Sequence, residues 1–303
     1  MSKEENFRKN HVKCIDKYLP GEHWVSDKDL IKQKKLNPNI SKKDLNKVRA
    51  FGYVNNQWEK GTILKVKFNG GLQSNIDFVI NTINTDVAPL INDSITFLWN
   101  SNDNPQIRIG FEDDGNWSYI GKQLLNVPSN ENTMNLWSVY SDVIIHEFLH
   151  TLGLLHEHQN PRGEPIPFDE QAVIDYYAQF GWDEAQTRTN VLNKYSLETT
   201  IGTNYDSLSI MHYYFPASLL TDPSFAVGDN TVLSEIDKQW LKDTYGQKCT
   251  DVIEPIDCST GIQYIERNTD VCYDKYSSLR SLAIFGYIFI ISLVVVLKVF
   301  RFF

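Results

Sequence analysis

The part of the sequence with the clearest capacity for chemistry is residues 146–156, which read His-Glu-Phe-Leu-His-Thr-Leu-Gly-Leu-Leu-His. If this segment is helical, His146 and His150 lie four residues apart, project from the same face and can bind one Zn²⁺. Glu147 lies one step further round the helix, from which it can reach a metal-bound water as a general base. The spacing therefore predicts a catalytic metal site carried by a helix.

A third imidazole completes the predicted ligand set. Gly153 can adopt a positive φ and end the helix, so that the chain turns back and His156 approaches the metal from another direction. Three neutral imidazoles leave the fourth position of a tetrahedral zinc ion to water, which is the pattern of catalytic rather than structural sites. We therefore predict one Zn²⁺ per chain, held by His146, His150 and His156. The remaining histidines are expected to be solvated or packing side chains: His11, His23, His158 and His212.

A second motif lies further along the chain. Ser209–Tyr213 reads Ser-Ile-Met-His-Tyr, and Met211 lies 55 residues after His156. This segment resembles the Met-turn of the metzincin zinc proteases, in the form found in the astacin family. The sequence His-Glu-His-Gln-Asn-Pro at 156–161, with segments 117–121 and 133–136, is similar to a microbial and viral astacin-like branch. The resemblance covers about residues 58–247.

The resemblance implies a zinc metalloendopeptidase that acts on peptide or protein substrates. It implies that the three histidines are the zinc ligands and that Glu147 is the general base and acid. Met211 would form the apolar floor under the metal. Tyr213 would be an extra ligand that swings to stabilise the tetrahedral oxyanion, with Tyr214 as the competing candidate. An extended substrate would pair with an edge strand above the cleft, for which Thr133–Trp137 is the candidate.

The sequence also departs from the family pattern after the third ligand. Close relatives of the founding protease carry Arg soon after the Glu that follows that ligand, whereas this chain has Asn160-Pro161-Arg162. In secreted members a buried mature N-terminus meets that Glu, but no signal peptide or recognisable zinc-blocking segment is found here. We therefore expect Glu157 to have another partner.

Hydrophobic periodicity indicates the elements that must position these residues. Strand-like alternation at Thr62–Phe68 is followed by helical spacing over 72–89, and strands are predicted at 94–99, 106–111 and 133–137. Further helices are predicted at 139–156, 169–180, 183–195 and 234–245. This order indicates an α+β or α/β class with one sheet. Together with the resemblance it implies an α+β, metzincin-type protease domain with a mixed sheet, an active-site helix and the Met-turn, followed by a C-terminal transmembrane helix.

Four regions are predicted along the chain. They are a basic N-terminal extension at 1–57, a protease domain at 58–247, a stalk at 248–280 and a transmembrane helix at 281–300. Residues 1–50 carry 13 Lys and Arg against 7 Asp and Glu. The extension is most simply a solvated arm, and an inhibitory segment or a docking arm for anionic surfaces are the alternatives.

The predicted membrane helix rests on Ser281–Leu297, seventeen residues without a charge between Arg280 and Lys298. As a helix this run is about 25 Å long, enough for a single anchor, and a buried core helix is the alternative. Without an N-terminal apolar signal, we expect a tail-anchored protein in a host or viral membrane, with its catalytic domain on the cytosolic side.

Charge and composition limit the other function classes. The formal net charge of −9 argues against a nucleic-acid partner, because phosphate contacts need a basic surface. The competing hypothesis is a catalytically silent, membrane-tethered binding module on a protease fold. The presence of all three histidines and Glu147 counts against it, since a decayed site would tend to lose at least one of them.

Overall fold

The computed structural model describes residues 14, 15, 17, 24, 25, 52, 53, 56–91, 94–197, 200–202 and 205–246. The chain divides into a unit of residues 1–248 and a unit of residues 249–303, and the second lies outside the described residues. The strands are β1 (Trp24–Val25), β2 (Gly52–Tyr53), β3 (Thr62–Phe68), β4 (Ile95–Leu98), β5 (Ile107–Gly110), β6 (Asn116–Ser118), β7 (Met134–Leu136), β8 (Lys194–Tyr195) and β9 (Thr200–Ile201). The helices are α1 (Gln73–Asp86), α2 (Ala88–Ile91), α3 (Ser141–Thr151), α4 (Glu170–Ala178), α5 (Glu184–Thr187) and α6 (Glu235–Tyr245).

A five-stranded mixed sheet forms the frame, in the order β4-β3-β5-β7-β6. Strand β3 pairs in parallel with β4 and β5, and β5 pairs in parallel with β7, whereas β6 runs antiparallel to β7. The alternation predicted for β3 is present, because Leu64 and Val66 are fully buried while the residues between and around them are partly exposed. The predicted mixed sheet is confirmed.

The predicted edge strand is wrong. Strand β7 lies inside the sheet between β5 and β6, so its backbone is paired on both sides. Among the described strands, β6 is the edge strand that lies next to β7. Hydrophobic periodicity did not predict β6, because three residues are too few to show alternation. A substrate strand would therefore add to β6 rather than to residues 133–137.

Helix α3 packs against α1 and against the sheet, and every one of its residues from Asp142 to Thr151 is buried. It is shorter than the predicted 139–156 because Gly153, at φ +105°, ends it. The Gly153 N–H donates to His150 O and the Leu154 N–H to Leu149 O, which is the arrangement of a Schellman cap. The predicted role of Gly153 is confirmed.

The second half of the unit is mostly helical, with one difference from the prediction. Residues 183–195 do not form one helix: α5 continues as a π-helical turn at Arg188–Leu192, and β8 follows. Strand β8 pairs with β1, so a partner far away in sequence decides its conformation.

The N-terminal extension is not a solvated arm at its described positions. Strand β1 pairs with β8 and β2 with β9. Cys14 is fully buried and Ile15 partly so. These contacts tie the extension to the protease domain rather than leaving it in solvent.

The predicted membrane helix at 281–300 lies outside the described residues, and so does the predicted stalk. Within the described residues, none of the helices combines the length and the apolar character needed to cross a bilayer. The anchor and the predicted region boundaries therefore stay predictions.

Candidate metal centre

Helix α3 and the turn after it bring the three predicted ligands together. Residues four apart on α3 place the His146 and His150 rings 4.8 Å apart, and the reversal at Gly153 returns His156 to them. The Nε2 atom of His156 lies 3.1 Å from the Nε2 atoms of both other rings. All three histidines are buried, so the centre is assembled inside the protein as the spacing predicts.

Backbone carbonyl groups fix the orientation of two of these rings. Nδ1 of His146 donates to Ile210 O and Nδ1 of His150 donates to Leu154 O, both at 2.8 Å, because a carbonyl oxygen can only accept. In a neutral imidazole the other nitrogen then carries a lone pair. Two Nε2 lone pairs therefore point at one spot beside the Nε2 of His156, an arrangement that repels unless a cation lies between them.

The donor separations fit a tetrahedral zinc ion. With Zn–N bonds of about 2.05 Å, two nitrogen ligands at the tetrahedral angle lie about 3.3 Å apart. The observed separations of 3.1 Å are close to this value. Imidazoles whose second nitrogen donates to a backbone carbonyl, as in His146 and His150, are also usual ligands of a protein zinc site. The histidines present therefore fit the metal.

Sequence reasoning missed a fourth potential ligand, Cys14. Its Sγ lies 3.6 Å from His150 Nε2 and 3.5 Å from Glu147 Oε2. Among the described residues, Cys14 and the three histidines form a metal-binding group whose ligand atoms all lie within 4.8 Å of one another. A cysteine 132 residues before His146 gives no local spacing signal, so periodicity and motif offsets could not have identified it.

Glu147 and Tyr213 are both at the centre. Glu147 is fully buried on α3 between the two helical ligands. Tyr213 is buried, and its ring centroid lies 4.5 Å from that of His156. Its hydroxyl donates to Cys14 O at 2.7 Å. Tyr214, the competing candidate, is 37% exposed.

The Met-turn holds the first ligand through its backbone. Met211 is buried in the main core cluster, and the preceding carbonyl, Ile210 O, accepts the bond from His146. Asp237 on α6 fixes the turn, because its carboxylate accepts from Ser209 Oγ at 2.7 Å and from the Ile210 N–H at 2.9 Å. A line of hydrogen bonds thus runs from α6 through the turn to a zinc ligand.

Replacement of Asp237 by asparagine is expected to weaken zinc retention by about 10-fold to 100-fold, the usual cost of disturbing groups that orient ligands. An amide offers one acceptor oxygen where the carboxylate offers two, so the Ser209 hydroxyl and the Ile210 N–H can no longer each donate to an oxygen of their own on residue 237. The measurement is competition for zinc by a chromogenic chelator.

Asp243→Asn is the matched control for this experiment, since Asp243 is an exposed residue on the same helix. Equal zinc affinity in the two variants would contradict the proposed link from α6 to His146.

Glu157 has internal partners, as the departure from the family pattern predicts. Its Oε1 accepts from Asn160 Nδ2 at 2.8 Å and from the Asp206 N–H at 3.1 Å. Burial raises the pKa of Glu157 to about 8, although both hydrogen bonds act in the opposite direction. The Glu157 N–H also donates to Met211 O, so this residue connects the third ligand's turn to the Met-turn.

The two neighbouring histidines are packing residues, as predicted. His158 Nε2 donates to Asn190 O, and His212 is bonded to Tyr205 Oη and Tyr213 O. Burial lowers the pKa of both, that of His212 to about 4, so both are neutral near pH 7. His11 and His23 lie outside the described residues.

Comparison with known proteins agrees with this geometry. The family model described as Astacin, a family of peptidases, matches residues 53–250. The solved structure of myroilysin is 33% identical, with a TM-score of 0.57, and the match covers 66% of this chain and 100% of that chain. High choriolytic enzyme 1, a hatching enzyme zinc-protease from the medaka fish Oryzias latipes, is 18% identical with a TM-score of 0.44, covering 64% and 96%. The family assignment rests on the family model and on the match to myroilysin.

Proposed function

Since this chain belongs to the astacin family and is a zinc metalloendopeptidase, we propose that it cuts extended peptide segments at the His146–His150–His156 centre, with Glu147 as general base and acid. The observation that carries the proposal is the convergence of three buried imidazole Nε2 atoms beside a buried carboxylate on the same helix. A purely structural site would not need that carboxylate next to the metal ligands.

The proposed reaction is addition of water to the scissile carbonyl followed by loss of the amine. Zinc held by the three histidines would supply Lewis acidity, which polarises the carbonyl and activates the water. The Glu147 carboxylate takes one proton from the attacking water and passes it to the leaving nitrogen as the C–N bond breaks. The Tyr213 hydroxyl, already directed at a carbonyl oxygen, would donate to the developing oxyanion.

Strand β6 is the proposed substrate rim. It is the edge of the sheet beside β7, and the backbone carbonyl of Asn116 accepts a hydrogen bond from the Ile15 N–H at 2.8 Å. This contact supports the proposal that an extended chain can pair with the rim by strand addition.

The proposal is tested by casein or quenched-peptide cleavage with the full chain and with its Cys14→Ala variant. We expect 1,10-phenanthroline to abolish cleavage and added Zn²⁺ to restore it, since the reaction needs the metal. Cleavage that resists the chelator would remove zinc from the mechanism. Zinc-loaded protein that cuts no peptide in either form would favour the silent binding module.

Membrane attachment through residues 281–300, with the catalytic domain on the cytosolic side, is part of the proposal and rests on the uncharged run there. Protease protection of vesicles carrying the full chain tests it. A catalytic domain that stays protected until detergent is added would contradict the cytosolic placement.

A further inference from the structure

We propose that the face of the Trp117 ring on the substrate rim is a subsite for the side chain of lysine or arginine, so that the enzyme selects extended segments with a cationic residue near the scissile bond. Trp117 and the carboxylate of Asp114, which fixes its ring, form this subsite, which we call the cation platform. The inference rests on the proposed function, because it names the class of substrate that the same cleft accepts.

The first argument is that a cation already lies on this ring. Nζ of Lys17 is 4.6 Å from the centroid of the Trp117 ring. An ammonium group within about 6 Å of a ring centroid is attracted by the negative face of the ring, and tryptophan attracts it most strongly among the aromatic side chains. The chain's own lysine therefore shows which kind of side chain the rim accepts at this position.

The second argument is that the platform is fixed before any substrate binds. Trp117 Nε1 donates to Asp114 Oδ1 at 2.7 Å, and the Tyr119 ring packs edge-on against the Trp117 ring at 6.1 Å between centroids. The bond to the carboxylate also places a negative charge at the edge of the ring, which adds to the attraction for a cation. A ring that is already held in place loses little conformational freedom on binding.

The turn that carries Asp114 is fixed as well, by the fully buried Asn135 on β7. Asn135 Nδ2 donates to Gly115 O at 2.6 Å and to Glu112 O at 2.8 Å, and it lies 3.2 Å from Asp114 Oδ1. Its Oδ1 accepts from the Glu112 N–H at 2.8 Å. Glu112, Asp113 and Asp114 are exposed, so their carboxylates stay hydrated while they attract a cation to the rim.

The third argument is the charge of the whole protease region. Residues 51–248 carry 11 Lys and Arg against 25 Asp and Glu, whereas residues 1–50 carry 13 against 7. A strongly acidic surface raises the local concentration of cationic chains and repels anionic ones. The platform therefore lies in a field that favours basic peptide segments.

The platform lies close enough to the metal centre for one substrate to reach both. Lys17 is three residues after Cys14, whose Sγ lies 3.6 Å from His150 Nε2. Three residues of extended chain cover at most about 10 Å. Between them the Ile15 N–H donates to Asn116 O on β6, so the chain follows the rim over this distance. A substrate residue about three positions from the scissile bond would reach the Trp117 ring in the same way.

The experiment uses the full chain with Cys14→Ala and Lys17→Ala, so that the peptide meets a platform with no internal cation. The substrates are uncharged, quenched ten-residue peptides in which one lysine moves along the sequence. Each has a twin with norleucine, which keeps the stem and removes the ammonium group. We expect kcat/KM of the best lysine peptide to exceed that of its twin by about fivefold to tenfold, since the ring face and the nearby carboxylates each contribute a few-fold.

Asp114→Asn should lower this lysine preference to about twofold, because the amide oxygen still accepts the Trp117 N–H but the charge is lost. Asp243→Asn, an exposed residue on α6, is the matched control and should keep the full preference. Raising the salt concentration to about 0.5 M should reduce the preference in the parent chain, since the carboxylates are exposed and therefore screened.

Binding of the same peptides, labelled with fluorescein, is measured by anisotropy in the same chain carrying Glu147→Gln. Tighter binding of the lysine peptides than of their twins supports the platform even if the parent chain cuts no peptide, in which case only the proposed function fails. Cleavage without a lysine preference at any position would overturn the platform and leave the proposed function intact. A preference that is equal in Asp114→Asn and Asp243→Asn would also overturn it.

Discussion

Replacement of Glu147 by glutamine is expected to lower kcat/KM by about 10²-fold to 10⁴-fold, the usual contribution of a general acid–base group. The amide keeps the shape of the side chain but cannot take a proton from water, which corresponds to about 3–5 kcal/mol of activation free energy. Zinc content should not change, because Glu147 lies beside the ligands without being one of them. The measurement is quenched-peptide cleavage, made in the Cys14→Ala chain so that the thiol beside Glu147 and His150 does not mask the effect.

The control is Glu164→Gln, an exposed carboxylate on the loop that follows the zinc ligands. It should leave both cleavage and zinc content at the level of the parent chain. If Glu147→Gln retained most of the parental kcat/KM with zinc bound, Glu147 would lose its assigned role and another base would have to be sought.

Replacement of Phe148 by alanine is expected to lower the free energy of unfolding by about 3–5 kcal/mol, the range for removal of a buried aromatic ring. Phe148 is fully buried on α3, where it meets Phe97 edge-on at 5.5 Å and Trp99 at 5.9 Å between ring centroids. Helix α3 carries two zinc ligands. The Phe148 ring packs this helix against strand β4 and against the turn that follows β4. Urea unfolding at a fixed saturating zinc concentration measures the change.

Phe225→Ala provides the comparison, since Phe225 is 39% exposed and belongs to a short 3₁₀ turn at the surface. Its effect should stay within about 0.5 kcal/mol. A Phe148→Ala protein as stable as Phe225→Ala would mean that the α3 contact with the sheet is not needed for folding.

The ligand helix could be predicted from sequence because all its signals are local. His146 and His150 are spaced by one helical turn, and Gly153 sits where only a positive φ lets the chain reverse. Strand β3 was predicted to its observed ends for the same reason, since its alternation extends over seven residues. In each case the residues that determine the local conformation lie within a few positions of one another in the sequence.

The elements that sequence reasoning missed depend on distant partners. Strand β8 is extended because β1 lies beside it, although its residues continue a helical pattern. Strand β6 is defined by its neighbour β7, not by its three residues. Cys14 belongs to the metal centre through contacts across more than 130 positions. Such pairings are decided by tertiary structure, which hydrophobic periodicity does not contain.

The hydrogen bonds from Asp237 through Ile210 to His146 also bear on when the centre can form during translation. The ribosome adds 87 residues between His150 and Asp237, which takes about 4–17 s at about 5–20 residues per second. Throughout that interval the turn that orients His146 is either not yet made or not yet fixed by Asp237. A nascent chain therefore has no complete zinc centre with which to cut itself or its neighbours until nearly the whole described domain has been made. Cys14, in contrast, precedes all three histidines in the chain, so it has already been made when the centre is completed.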